Sequence, residues 1–436
     1  MFRYAGIVAI ALALSVAGGI GLGNRSPQAP PQTIAAAPPA VQPGNGQDLD
    51  GAIVAMQEIL RRAPGDYPTW ANLSIAYVEQ GRLTGVPSYY EKAEDAAARS
   101  LEVQPDDNFG ALAARAAIAS ARHDFDVALD LADQALAINP LHLSALAVRV
   151  DALTELGRYD EQLAALRVAD RRQPSTAIAA RYSYAFELRG DQPRAAAILR
   201  DASAVASSGD RAYLMTLLAD IQRRRGRLAA AADALEAARE ASPDYLPAVV
   251  SLARLRTAQG DIDGALSAWR TVVARQPLPE YLVELGELYT HLDQPTEARQ
   301  QFDVVDATVK LLEAGGVDTD LEAALYEADH GSAPLAVRLA RAEWERRKSI
   351  HVADALAWSL HQVGRDREAL TLARQATRLG TEDAKFWLHR GAIEAALGMS
   401  SEARAHLRRG LAADPGHSLW QRDRARALLA EIATER

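Results

Sequence analysis

The 436-residue sequence contains no cysteine, which excludes disulfide bridges, thiol catalysis, cysteine-ligated zinc and a lipid-modified N-terminal cysteine. Aromatic residues are sparse at 6%, and no run of alternating β-branched residues occurs, so no strand is expected and the composition points to an all-α chain. A positive excess is missing too. The 57 acidic and 48 basic residues leave a net charge of −9, whereas duplex recognition needs a basic stripe that displaces counterions, so nucleic acid is not an expected partner. There is no glycine-rich phosphate loop, no HExxH helix and no GxSxG turn, so no catalytic residue, metal ligand set or cofactor is assigned and the chain reads as a non-enzyme.

One long apolar run is present, at the N-terminus. Residues 1–23 place Arg3 before an apolar stretch from Ala5 to Ile20, the pattern of a signal peptide or signal anchor. Ser15, Val16 and Ala17 offer a cleavage site, while Tyr4 to Leu22 is nearly long enough to span a bilayer, which leaves cleavage and retention both open. Either outcome puts the body outside the cytoplasm, secreted or anchored to the cytoplasmic membrane. Residues 24–47 are rich in proline and alanine and lack apolar periodicity, so a disordered linker is expected there.

The rest of the chain is periodic. In Ala384 to Pro415, Trp387, Gly391, Gly398, Ala403 and Pro415 mark a helix, a turn at Gly398, a second helix and a stop. The same beat runs through Pro105, Pro140 and Pro174, spaced by 35 and 34 residues, and through Pro243 and Pro277, spaced by 34. Ser207 and Ser208 fill the missing stop. Turns are expected at Gly157, Gly190, Gly226, Gly260, Asp293, Gly331, Gly364 and Gly398. Alanines such as Ala128, Ala135, Ala195, Ala202, Ala231 and Ala238 recur where two helices would cross most closely.

This pattern resembles the tetratricopeptide repeat (TPR), a 34-residue helix-turn-helix, over about ten units from Pro68 to Pro415. The resemblance implies an all-α, right-handed superhelical solenoid over residues 48–416, opened by a half unit and closed by a capping helix within 417–436. Three departures are visible. The first full unit is expected to end its first helix at Gly81 and insert the loop RLTGVPSYY. The unit Phe109 to Pro140 lacks a first-helix aromatic. The second helix after Pro295 runs on to Glu313 before Gly315 and Gly316 break it.

The resemblance also implies a concave surface lined by the first helix of each unit. The groove positions fall on Asp151, Tyr184, Tyr213, Asp220, Arg223, Arg254, Glu287, His351, Asp354, Trp358 and His361. Their mixed charge suits a peptide or protein segment, and the function expected is a scaffold binding such a partner at the outer side of the cytoplasmic membrane, with residues 1–23 supplying any membrane association. A merely solvated face is the plainer alternative. His351, Asp354, Trp358 and His361 share one helical stripe, which gives a second reading, a metal- or solute-binding accessory protein using the His351 to His361 region. The two histidines lie about 15 Å apart along a helix, too far for one ion, so His330 or Asp329 would have to join His351 and Asp354. The lysine, asparagine and arginine set with which some TPR domains hold C-terminal carboxylates is not reproduced.

Overall fold

The computed structural model describes residues 46–434, with side chains from Leu49 onward; the expected signal segment and nearly all of the expected linker lie outside the described residues. Among those described there are twenty-two helices and no strand. None is long and apolar enough to cross a membrane.

A lone helix α1 (Gly46–Arg62) precedes ten antiparallel pairs. These are α2 (Tyr67–Thr84) with α3 (Ser88–Val103), α4 (Phe109–Ala121) with α5 (Phe125–Ile138), α6 (Leu143–Glu155) with α7 (Tyr159–Arg172), α8 (Thr176–Glu187) with α9 (Gln192–Ser203), and α10 (Ser208–Arg224) with α11 (Leu228–Ala241). The second half continues with α12 (Leu246–Gln259) and α13 (Ile262–Arg275), α14 (Pro279–His291) and α15 (Pro295–Ala314), α16 (Asp320–His330) and α17 (Ala333–Arg346), α18 (Ile350–Gln362) and α19 (Asp366–Ala376), and α20 (Ala384–Ala396) and α21 (Ser400–Ala413). Helix α22 (Leu419–Thr434) ends the described chain.

Local chemistry sets these boundaries. Asn108 opens α4 by accepting a hydrogen bond from Ala111 N at 3.0 Å, while its own amide donates to Ser100 O on α3 at 3.1 Å, so one side chain caps a helix and joins two units. Within the pairs the turn residue takes the left-handed conformation, as at Gly157 (φ +77°), Gly190 (φ +74°) and Asp293 (φ +56°). Gly331 does not: its φ is −130°, outside the left-handed region. In the pair α4–α5 the turn falls on His123 (φ +66°), a residue with no glycine signal to announce it.

Helix α2 does not end at Gly81. It runs on to Thr84, and Gly85 (φ +69°) closes it. Gly81 serves packing instead, because a Cβ there would meet the Tyr90 ring at 3.0 Å. The alanines at the crossings behave as small contact residues should: Ala128, Ala135, Ala195, Ala231 and Ala238 are wholly buried, while Ala202 is half-buried.

The stack coils back on itself. Hydrogen bonds join residues 191–195 positions apart: Ile350 N donates to Tyr159 Oη at 2.9 Å, Arg347 Nη1 to Glu155 Oε2 at 2.6 Å, and Gln276 Nε2 to Arg82 O at 3.3 Å. With a ~34-residue unit, one turn of the superhelix therefore holds between five and six units. The turns within pairs of the first coil meet the loops between pairs of the second. A hydrophobic cluster of Tyr159, Tyr184, Leu188, Ile350, Ala353, Ala376 and Phe386 bridges the same seam, so the contact is packed as well as polar.

Candidate functional site

The first helices of the pairs face the superhelix axis, and there the expected groove residues are found. All but Asp220 and His361 are buried. Many are consumed in a ladder that joins neighbouring first helices from α6 to α20. Asp151 on α6 accepts two hydrogen bonds from Arg181 on α8, at 2.8 and 2.6 Å. Arg254 on α12 forks onto Glu284 on α14, its closest contact being 2.5 Å. Trp358 Nε1 on α18 donates to Asp329 Oδ1 on α16 at 2.9 Å, and Asp354 on α18 faces His389 Nδ1 on α20 at 3.1 Å and Lys385 at 4.0 Å. Planar, paired hydrogen bonds of this kind make buried charges tolerable.

Others cross the seam. Arg223 pairs with Asp414 and also touches Asp220 at 3.4 Å, and Tyr184 Oη lies 2.9 Å from His351 Nε2. Tyr213 is enclosed beside Arg181 and Asp151. His361 sits at the open end with Nδ1 2.5 Å from Asp366 Oδ1.

Burial shapes the electrostatics. It pushes the Asp151 carboxyl up to about 7 in spite of Arg181, and that of Glu322 to about 8 in spite of Arg347. It drives His351 well below its usual value, with Lys385 adding to the effect. For Asp220 burial also opposes ionisation, but Arg223, Arg254 and Arg224 together outweigh it and hold the carboxyl below the usual range.

His351, Asp354, Trp358 and His361 share a helix face, but the structure gives each a different partner: Tyr184, His389, Asp329 and Asp366. They do not converge on one point. Among the described residues two other groups do. Asp318, Asp320 and Glu343 cluster at the seam, and Glu287, Asp329 and His330 cluster between α14 and α16. In the first, Arg346 pairs with all three carboxylates.

Helix α22 lies across the concave side rather than only over the last pair. Asp423 Oδ2 is 2.6 Å from His291 Nδ1 on α14, the Trp420 ring is 4.9 Å from His330 on α16, and Ala425 and Ile432 pack with Leu388 and Leu407. Between α22 and the helices α18, α20 and α21 a cleft of about 460 Å³ remains, lined by Trp358, His361, Leu388, Ala392, Ala395 and Leu428 among others. A larger cavity of about 1070 Å³ opens on the seam beside Arg122, His123, Phe125 and Arg346. Two of its cations are paired, Arg122 with Glu94 and Arg346 with Asp318.

Periodicity did not mark Arg181, Glu155, Arg347, His389 or Trp420 as parts of this interior. A signal exists for some of them: Arg181 and Glu284 each follow an oppositely charged residue, Asp151 and Arg254, by 30 positions, close to one unit.

Family models for the tetratricopeptide repeat match residues 112–177, 222–283 and 355–418. No curated protein matches the chain. Among solved structures, it is similar to a tetratricopeptide repeat protein from Parabacteroides merdae, with 21% identity, 59% of this chain and 98% of that one covered, and a TM-score of 0.34. It is also similar to the human IFIT1 dimer with PPP-AAAA (16% identity, 84% and 86% covered, TM-score 0.46) and to yeast Tom70 (13% identity, 89% and 93% covered, TM-score 0.35). The matched segments fall on helix pairs in both coils of the superhelix, so residues 112–177, 222–283 and 355–418 carry tetratricopeptide repeats.

Proposed function

We propose that the protein is an interaction scaffold that takes a segment of a partner protein on its concave side and works by surface contact rather than by turnover. The observation that carries this reading is the cleft of about 460 Å³ beside α22. The groove positions of the first coil are spent on internal pairing, whereas this stretch keeps Leu388, Ala392, Ala395 and Leu428 around a concave space with Trp358 and His361 at its side. Such a surface suits an apolar anchor on a peptide, the usual way a groove of helices holds a segment. Placement at the outer side of the cytoplasmic membrane rests on the apolar run of residues 5–20 in the sequence.

A photo-crosslinking residue placed at Ala392 in the cleft, compared with one at the exposed Asp263 on α13, tests the reading in cells. The expected result is one dominant adduct from position 392, lost when Ala395→Trp fills the cleft. Equal capture from both positions, or capture at 392 unaffected by the filling, contradicts it.

A further inference from the structure

We propose that Glu287, Asp329 and His330 form a binding site for a divalent transition-metal ion of the zinc class, set between α14 and α16 beneath the C-terminal helix. One ligand atom from each residue lies within 4.8 Å of the others. His330 Nε2 and Glu287 Oε1 are 3.1 Å apart, near the ~3.3 Å that separates two ligands on a tetrahedron with ~2.0 Å bonds. One imidazole with two carboxylates suits zinc, whereas magnesium and calcium prefer oxygen alone.

Asp329 supplies the observation that sets this group apart from an ordinary cluster of acids. Its Oδ2 is buried without a hydrogen-bond partner, on a side chain only 1% exposed. In folded proteins at large, buried polar oxygens are almost always satisfied. Glu287 is equally enclosed, at 1%, so two carboxylates share a site from which water is largely excluded. At Asp318, Asp320 and Glu343 the cation is Arg346. Here the nearby guanidinium is that of Arg424, which is 48% exposed and lies 3.6 Å from Oδ1, the oxygen that already accepts from Trp358.

The supporting shell is also in place. Trp358 Nε1 holds Asp329 Oδ1 at 2.9 Å, and the Ser418 hydroxyl bonds Glu287. The His330 ring stacks on Phe302 at 4.4 Å and meets Trp420 at 4.9 Å. Outer contacts of this type fix the orientation of ligands and raise affinity. Because Ser418 and Trp420 belong to the segment that leads into and opens α22, the ion fastens the C-terminal helix to two units of the solenoid. The site does not depend on the cleft being a protein-docking surface.

Equilibrium dialysis of the full chain against zinc chloride, with the bound metal quantified and thermal unfolding followed in parallel, tests the proposal. The expected result is one zinc per chain and a higher Tm, both lost in Asp329→Asn and in His330→Gln. Trp358→Phe keeps an aromatic ring but removes the N–H donor, and should weaken zinc by ~10-fold or more. His351→Ala, outside the site, should leave zinc binding unchanged, and circular dichroism confirms that each variant remains helical. Absence of bound zinc in the wild-type chain, or binding retained by helical Asp329→Asn and His330→Gln variants, overturns it.

Discussion

Arg347 donates to Glu155 at 2.6 Å although 192 residues separate them, and this pair binds the second coil of the superhelix to the first. Both side chains are buried, at 4% and 5% exposure, and Arg347 pairs with Glu343 as well. Replacing Arg347 with alanine strands the Glu155 carboxylate in the interior and leaves Glu343 with Arg346 alone, which should cost about 3–5 kcal/mol. Urea unfolding measures the loss, and small-angle scattering should show a larger radius of gyration as the coils part.

Glycines on the seam should be less replaceable than glycines in open turns. Gly157 has φ +77°, and a Cβ there would lie 2.4 Å from Lys348 O, whereas Gly226, at φ +71°, has nothing within 4 Å. Gly226→Ala should carry only the left-handed backbone penalty of about 1–2 kcal/mol. Gly157→Ala adds a clash with backbone of the other coil and should lower Tm further. Equal melting temperatures for the two variants would argue against a packed seam.

The buried carboxyl of Glu322 gives stability a defined pH dependence. Burial raises it from the ordinary 4.5 to about 8 in the folded state, so the folded chain binds the proton more tightly than the unfolded one. Its contribution is fully favourable below pH ~4.5 and is lost as pH rises through about 8. Glu322→Gln removes the titration and should stabilise the protein by about 1–3 kcal/mol at pH 8, with little effect at pH 4.5. Chemical denaturation at the two pH values checks the sign.

The register of the helix pairs is open to a direct test at Ala238, which is wholly buried on α11. Ala238→Trp should overpack that crossing and cost about 1–3 kcal/mol. Unchanged stability would mean that the crossing lies elsewhere.

The helix pairs are legible in the sequence because proline, glycine and alanine act locally: Pro295 at the start of α15, Gly398 at the turn after α20 and Ala403 on α21 each do the same work in the structure as in the pattern. His123 hides a turn because it takes a conformation normally left to glycine. The seam has no local signature at all. Nothing around Tyr184 announces His351, since their contact depends on how many units complete one coil. For the same reason the inner face could be read as positions but not as an environment. Asp151 and Arg254 fall where the repeat pattern puts them, yet whether such residues meet a ligand, solvent or each other is decided by the width of the superhelix, and here they meet Arg181 and Glu284. Glu287, Asp329 and His330 come together across α14 and α16, 43 residues apart at the widest, by the same stacking.

The closure of the superhelix is tested most directly by the distance between spin labels at Arg158 and Lys348, two exposed side chains at 46% and 51% that flank the point where Gly157 meets Lys348 O. The absence of cysteine from the sequence lets Arg158→Cys and Lys348→Cys carry the labels alone. A short, narrow distance distribution is predicted. A broad distribution at several tens of Å, as expected if helices packed ~8–10 Å apart extend without returning, would contradict the closed coil and the internal pairing that depends on it.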